Sequence, residues 1–168
     1  MRVINVHKRH IHQPKEKVSQ LFRTLATKDD LIWPYKNWPA IKFKNGLKIG
    51  SKGGHGPIRY TIIDFIEGEY IKFQFSKPEG FSGTHQLSIN AIDDFNTEII
   101  HEIRAKTAFR ATLFWVFVIR WLHDALIEDA FDKVENYFTN GQKRTRHHSW
   151  VKVLRGVYKG SSLRTKIA

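Results

Sequence analysis

Three histidines sit in phase with apolar residues on segments of clear periodicity. His85 alternates with Leu87 and Ile89, and His101 with Ile99 and Ile103. His123 falls on the same helical stripe as Trp115, Ile119, Leu122 and Leu126. Imidazole titrates near pH 7, so such residues can act as acid and base or hydrogen-bond a carbonyl or carboxylate. Taken singly, each also reads as a hydrogen-bonded structural histidine. Zinc sites usually draw on closely spaced ligands, and these three lie on separate segments, so neither a metal centre nor a cofactor is expected. Tyr60, alternating with Ile58 and Ile62, is a further donor or a packed ring with its hydroxyl at a rim. Asp124, Glu128 and Asp132 recur at helical spacing. They read as a solvated face or as a docking row for basic residues, ahead of paired catalytic carboxylates.

Other chemistries are excluded. Without cysteine there are no disulfides, thiolate metal sites, iron–sulfur clusters or cysteine nucleophiles. No GxSxG elbow occurs. Residues 46–57 hold five glycines with Lys48 and Lys52, but no GxxxxGK[ST] and no helix pattern after them. They read as a strand connection rather than a phosphate cradle. Catalytic residues therefore stay unassigned.

These side chains must be positioned by a chain of 168 residues, the size of one domain. At 41% hydrophobic and 26% charged residues it can form a packed core. The longest apolar run, residues 113–119, is far short of the ~20 residues of a membrane-spanning helix. The N-terminus has no long apolar stretch ending in small residues, so a cytoplasmic protein is expected. Residues 2–12 read as a first strand. Pro14 opens an amphipathic helix with Val18, Leu21, Phe22 and Leu25 inward, ending near Thr27. Two Trp-Pro pairs within 28–41 mark an irregular connection. From Ile58 to Ala105 the period is two, with turns at 67–69, 77–83 and 93–96, an antiparallel four-strand meander. Residues 109–139 form a long helix, apolar nearly all round in its first half.

The order of elements, IHQPKEKVSQLF at 11–22, the Trp-Pro segment and GPIRYTIIDFIEGEYIKFQF at 56–75 resemble the SRPBCC superfamily (START-like, helix-grip, including polyketide cyclases and lipid-transfer proteins). GFSGTHQLSI at 80–89 and FVIRWLHDALIEDAFDKVENYF at 117–138 look like a bacterial branch of it. The resemblance spans roughly residues 3–138. It implies an α+β helix-grip fold, a curved antiparallel sheet wrapped around a long C-terminal helix. It also implies a hydrophobic cavity between sheet and helix. The residues offered to that cavity are Tyr60, Phe73, Phe75, His85, Leu87, Ile89, His101, Ile103, Trp115, Ile119, Leu122 and His123. The function implied is binding of a small hydrophobic or amphipathic ligand; the alternative is a cyclase- or dehydratase-like enzyme using the cavity histidines.

The domain is expected to end near residue 140, at the helix stop Asn140-Gly141. Residues 141–168 hold eight Lys and Arg and no acid, out of a net charge of +12. Trp150, Val153, Leu154, Val157 and Tyr158 form an apolar stripe there, with Ser149 as cap and Gly160 as stop. Phe114, Phe117 and Trp121 lie on a face of the long helix that the sheet cannot reach. The basic tail is expected to dock on that face, with Lys152, Arg155 and Lys159 approaching the acidic row. A homodimer or an anionic surface met by tail and patch together are the rivals. The tail's two aromatics belong to the apolar stripe, so nucleic acid is not expected.

Overall fold

The computed structural model describes the backbone of residues 1–164 and the side chains of residues 1–157. It is an α+β helix-grip fold. Seven strands form one antiparallel sheet in the order β1-β7-β6-β5-β4-β3-β2. They are β1 (Arg2–Ile11), β2 (Lys42–Phe43), β3 (Lys52–His55), β4 (Ile58–Ile66), β5 (Tyr70–Lys77), β6 (Phe81–Asp93) and β7 (Asn96–Thr107). Helix α1 (Lys15–Phe22) follows the first strand. The long helix consists of α2 (Phe109–Phe114), a π turn (Trp115–Ile119) and α3 (Arg120–Thr139), and α4 (Ser149–Arg164) ends the described chain. The strands of the meander alternate as their period demands: Tyr60, Ile62, Ile71, Phe73, Leu87, Ile89, Ile99 and Ile103 are buried on one face. No helix is long and apolar enough to cross a membrane among the described residues.

The glycine-rich segment is partly strand. β3 lies against β2, and a side chain at Gly53 would run into the Lys42 carbonyl and the Phe43 ring. Glycine is needed there because two backbones meet closely.

α1 stops at Phe22 rather than near Thr27. The Asp30 carboxylate accepts from the backbone N–H of Ala26, Ile32 and Trp33 at 2.7–2.8 Å, and Thr24 Oγ1 accepts from Leu31 N–H. Such local side-chain acceptors compete with the helical ladder. Lys133 Nζ donates to the carbonyls of Asp30 and Trp33 at 2.6 and 2.8 Å, fastening this connection to α3.

The acidic row is not a solvated face. It turns toward edge strand β1, and Asp132 is 4% exposed. Arg9 bonds Glu128 (2.7 Å), Asp132 (3.0 Å) and Glu135 (2.6 Å), while His7 lies 3.0 Å from both Asp124 and Glu128. The helical period placed these carboxylates on one stripe correctly. It could not show that β1 brings two basic side chains to the same stripe. Tyr137, near the end of the long helix, is 52% exposed.

Within the described part of the tail, the contacts with the long helix are made mostly by other side chains than those expected. Lys143 Nζ reaches Glu135 (2.8 Å), Thr145 N–H donates to Asp132, and His147 lies 2.9 Å from Asp129. α4 then buries Val151, and Trp150 Nε1 donates to the Phe117 carbonyl at 2.8 Å. A π turn leaves helix carbonyls outside the usual ladder. Two indoles take them, Trp150 at Phe117 and Trp121 at Val116 (3.1 Å). Arg155 goes to the Asn37 carbonyl and the Trp38 ring, not to the acidic row. Phe117 stays 58% exposed and Phe114 44%, so the tail covers the patch only in part. α4 also runs past Gly160 to Arg164. The side chains of Tyr158 and Lys159 lie outside the described residues.

Candidate ligand cavity

The register of the meander brings the polar candidates to one floor. Phe73 pairs with His85, Leu87 with His101, His85 with Ile103, and Tyr60 with Phe75. Side chains at successive pairs on one face are close enough to touch. The His85 ring stacks on Phe73 (centroids 4.5 Å, 24°) and Phe75 (4.7 Å, 18°), with the Tyr60 ring edge-on at 4.7 Å. His101 is 5.6 Å from His85 on one side and 4.9 Å from His123 on the other. The long helix closes the space above, and the cavity between them measures about 480 Å³. That size suits a small organic molecule.

Of the residues offered to the cavity from sequence, Tyr60, Phe73, Phe75, His85, Leu87, His101, Ile103, Trp115, Ile119, Leu122 and His123 line it. Ile89 does not; it is 2% exposed in the core beside α1. Several lining residues were not foreseen. His55 enters from β3, with its ring 4.8 Å from Trp33. Trp33, Trp38 and Ile41 come from the Trp-Pro connection, and Phe114 and Arg155 stand at the margin. The two Trp-Pro pairs marked an aromatic loop, but only its fastening by Asp30 and Lys133 turns it into a wall.

The walls are apolar, and four buried polar atoms in them have no hydrogen-bond partner: Tyr60 Oη, His85 Nε2, His101 Nδ1 and His123 Nε2. A buried polar atom left unpaired costs about 1–3 kcal/mol, so four at one place are a feature of the site rather than a packing accident. Burial sets their protonation. Desolvation drives His85 and His101 well below the usual histidine range, with neighbouring imidazoles adding repulsion. It lowers His55 to about 3, helped by His123 and Arg59. Tyr60 is pushed well above its ordinary value by burial. His123 is lowered by burial as well, though Asp124 partly opposes this. The cavity therefore presents neutral imidazoles and a neutral phenol. Each neutral imidazole offers one donor and one acceptor. The set can recognise hydroxyl, carbonyl or amide groups.

Outside the cavity wall, His123 Nδ1 lies 3.5 Å from Asp124 Oδ1, which is 3.0 Å from His7 Nε2. Burial disfavours charge on His7, but hydrogen bonds with Asp124 and Glu128 outweigh it and raise its pKa. Burial likewise opposes ionisation of Asp124, yet bonds from His123, His7 and Asn5 hold it far below the usual carboxylate range. His7, His123 and Asp124 are ligand types that can hold a metal ion together. His7, on β1 and 116 positions before His123, carries no signal in the sequence that would join them.

No protein-family model matches the chain, and no curated protein does. Solved structures do. A Thermobifida fusca protein shares the fold with a TM-score of 0.63 at 10% identity, over 86% of this chain and 99% of that one. A Nitrosospira multiformis protein matches at 0.61 and 15%, over 82% and 99%. Norcoclaurine synthase of Thalictrum flavum, in complex with dopamine and hydroxybenzaldehyde, matches at 0.62 and 9%, over 86% and 90%. At such identities the likeness is one of fold: the chain has the helix-grip architecture that norcoclaurine synthase also has.

Proposed function

We propose that the protein binds a small, largely apolar molecule bearing one or two hydrogen-bonding groups, in the cavity between sheet and long helix. The observation that carries this reading is the convergence of four unpartnered polar atoms inside an apolar chamber of about 480 Å³. A solid core has no use for them. A hydroxylated or carbonyl-bearing ring would pack against the apolar walls and satisfy several of them at once. Native mass spectrometry of freshly purified protein is expected to find a co-purified organic mass that organic extraction removes. Absence of any such mass across different expression hosts, with no aromatic or lipidic compound raising the melting temperature, would overturn the reading.

The rival is a cyclase- or dehydratase-like enzyme, and the contact between Asp124 and His123 supports it by orienting the imidazole. Single changes of His85, His101 and His123 to Ala separate the two. A carrier loses affinity several-fold at each site. An enzyme loses turnover at His123 with affinity largely kept.

Exposed apolar residues of α2, the π turn and α4 also suit an anionic bilayer. Phe109 is 80% exposed, Phe117 58%, Val153 53% and Val157 68%, beside exposed Arg110, Arg120 and Lys152. No acid occurs between Glu102 and Asp124 or after Glu135. Apolar side chains ringed by cations of one sign suit an interface with anionic headgroups, worth about 1 kcal/mol per basic residue near the surface. The protein is expected to sediment with phosphatidylglycerol vesicles at low salt and not with phosphatidylcholine vesicles. Phe117→Ser should weaken this at least several-fold. Equal binding by the variant, or a stable dimer through the patch in sedimentation velocity, would refute it.

A further inference from the structure

We propose that His7, His123 and Asp124 form a binding site for a divalent transition ion of the zinc class, at the seam between β1 and α3. Their three donor atoms all lie within 4.8 Å of one another. Ligands around a four-coordinate zinc, each about 2.0–2.1 Å from the ion, stand roughly 3.3 Å apart. The pairs at 3.0 Å (His7 Nε2 to Asp124 Oδ1) and 3.5 Å (His123 Nδ1 to Asp124 Oδ1) already meet that spacing. Only the two histidines need to draw together.

Three further observations point to a cation. The other nitrogen of His7, Nδ1, lies 3.0 Å from Glu128 Oε1. Metal-bound histidines characteristically give their second N–H to a carboxylate, which fixes the tautomer and makes the ligand more basic. Asn5 donates to Asp124 Oδ1 at 3.0 Å, while its own Oδ1 is buried without a partner. An amide oxygen stranded beside a carboxylate finds no donor there, but it can serve a cation. Finally, Asp124, Glu128, Asp132 and Glu135 meet only Arg9 and Lys143 as permanent side-chain cations among the described residues. The row carries surplus negative charge. Two imidazoles with one carboxylate favour zinc-class ions over calcium or magnesium, which prefer oxygen alone. Asp124 is 36% exposed at its side chain, which leaves an entry path.

The site would act on the cavity through His123. With Nδ1 on the ion, the ring proton must sit on Nε2, one of the unpartnered atoms of the cavity set. The ion would thereby turn His123 from an acceptor into a donor for whatever the cavity holds.

The test uses full-length protein stripped with a chelator and then dialysed free of it, with no cavity ligand added. Its outcome is therefore separate from that of the ligand reading. Zn2+ is titrated by calorimetry and Co2+ by its visible absorption. One equivalent is expected to bind, in a tetrahedral or five-coordinate spectrum, unaffected by millimolar Mg2+ or Ca2+. His7→Ala and Asp124→Asn should each weaken binding at least a hundredfold, and Glu128→Gln by 10–100-fold, the range found for outer-shell partners. His10→Ala, on the exposed side of the same strand, should leave it unchanged. His7→Gln keeps a polar partner for the carboxylates, so it serves if the alanine variant unfolds. In nitrogen-15 spectra, Zn2+ should move the His123 ring to the Nε2–H tautomer. Binding that survives His7→Ala and Asp124→Asn, or falls equally in His10→Ala, would mean adventitious capture by surface histidines and would overturn the proposal. So would the absence of any one-equivalent phase.

Discussion

Lowering the pH from 7 to 5 is expected to remove a large part of the folding free energy, well before the carboxylates titrate. His55, His85 and His101 carry the effect. Burial lowers His55 to about 3 and holds His85 and His101 well below the usual histidine value. In the unfolded chain all three protonate near 6.5. Between these limits the unfolded state binds more protons than the folded one, so stability rises with pH and falls with acid. Each such site costs about 1.4 kcal/mol per pH unit, so three remove on the order of 5 kcal/mol between pH 6.5 and 5. That is a substantial share of the ~5–15 kcal/mol typical of a domain. His7 does not blur the result. Its folded value is raised, so its contribution is complete below the unfolded value and is lost only as pH rises. None of the three finds a counter-ion in place, and His101 lies between the rings of His85 and His123. His85 is packed by Tyr60, Phe73, Phe75 and His101, and His55 faces Trp33 and Tyr60 with Arg59 nearby. Urea midpoints measured at pH 7, 6 and 5 check this. His85→Leu should flatten the dependence by about a third. A wild-type midpoint that holds steady down to pH 5 would refute the assignment of neutral buried imidazoles.

Arg9→Met is expected to be the most damaging single change outside the hydrophobic core. Arg9 is 15% exposed at its side chain and holds Glu128, Asp132 and Glu135, of which Asp132 is 5% exposed. Taking away the guanidinium strips the buried Asp132 and the half-buried Glu128 and Glu135 of their shared cation. Breaking a buried pair from one side costs about 3–5 kcal/mol, because the remaining charge is uncompensated. At roughly 2–4 °C per kcal/mol for a chain of this size, the melting temperature should fall by ~10 °C or more. The loss should be local in origin. β1 is an edge strand that pairs only with β7, and Asn5, His7 and Arg9 tie it by hydrogen bonds to the helix across from it. Arg9→Lys should recover little, since one ammonium cannot reproduce a fork that serves three carboxylates. Adding Asp132→Leu to Arg9→Met should restore part of the stability by removing the most buried of the stranded charges. A melting temperature within 2 °C of wild type in Arg9→Met, measured at neutral pH, would show the row to be solvated after all.

How far the sequence reaches can be read from particular residues. Alternation from Ile58 to Ala105 determined four strands, their inward faces and their short turns, because side chains of a strand must change face at every residue. The stripe from Trp115 to Leu126 determined which face of the long helix meets the sheet. His85, His101 and Tyr60 could be placed on the inner face for the same reason. All of this is local phase, and phase is a property of consecutive residues. What lies opposite a given face is not. Asp124, Glu128 and Asp132 were legible as a row, but their partners His7 and Arg9 are more than 110 positions away on a strand whose own alternation gives no sign of them. His55 was hidden among glycines, and Trp33 and Trp38 in an irregular loop, where no period exists to assign a direction. The tail's stripe predicted docking. Only the packing decided that an extended segment would take the carboxylates while the indole of Trp150 took a carbonyl at the π turn. The tertiary structure alone could settle these points, because each depends on contacts between segments that loops of arbitrary length bring together, and side-chain order along the chain carries no record of those distances.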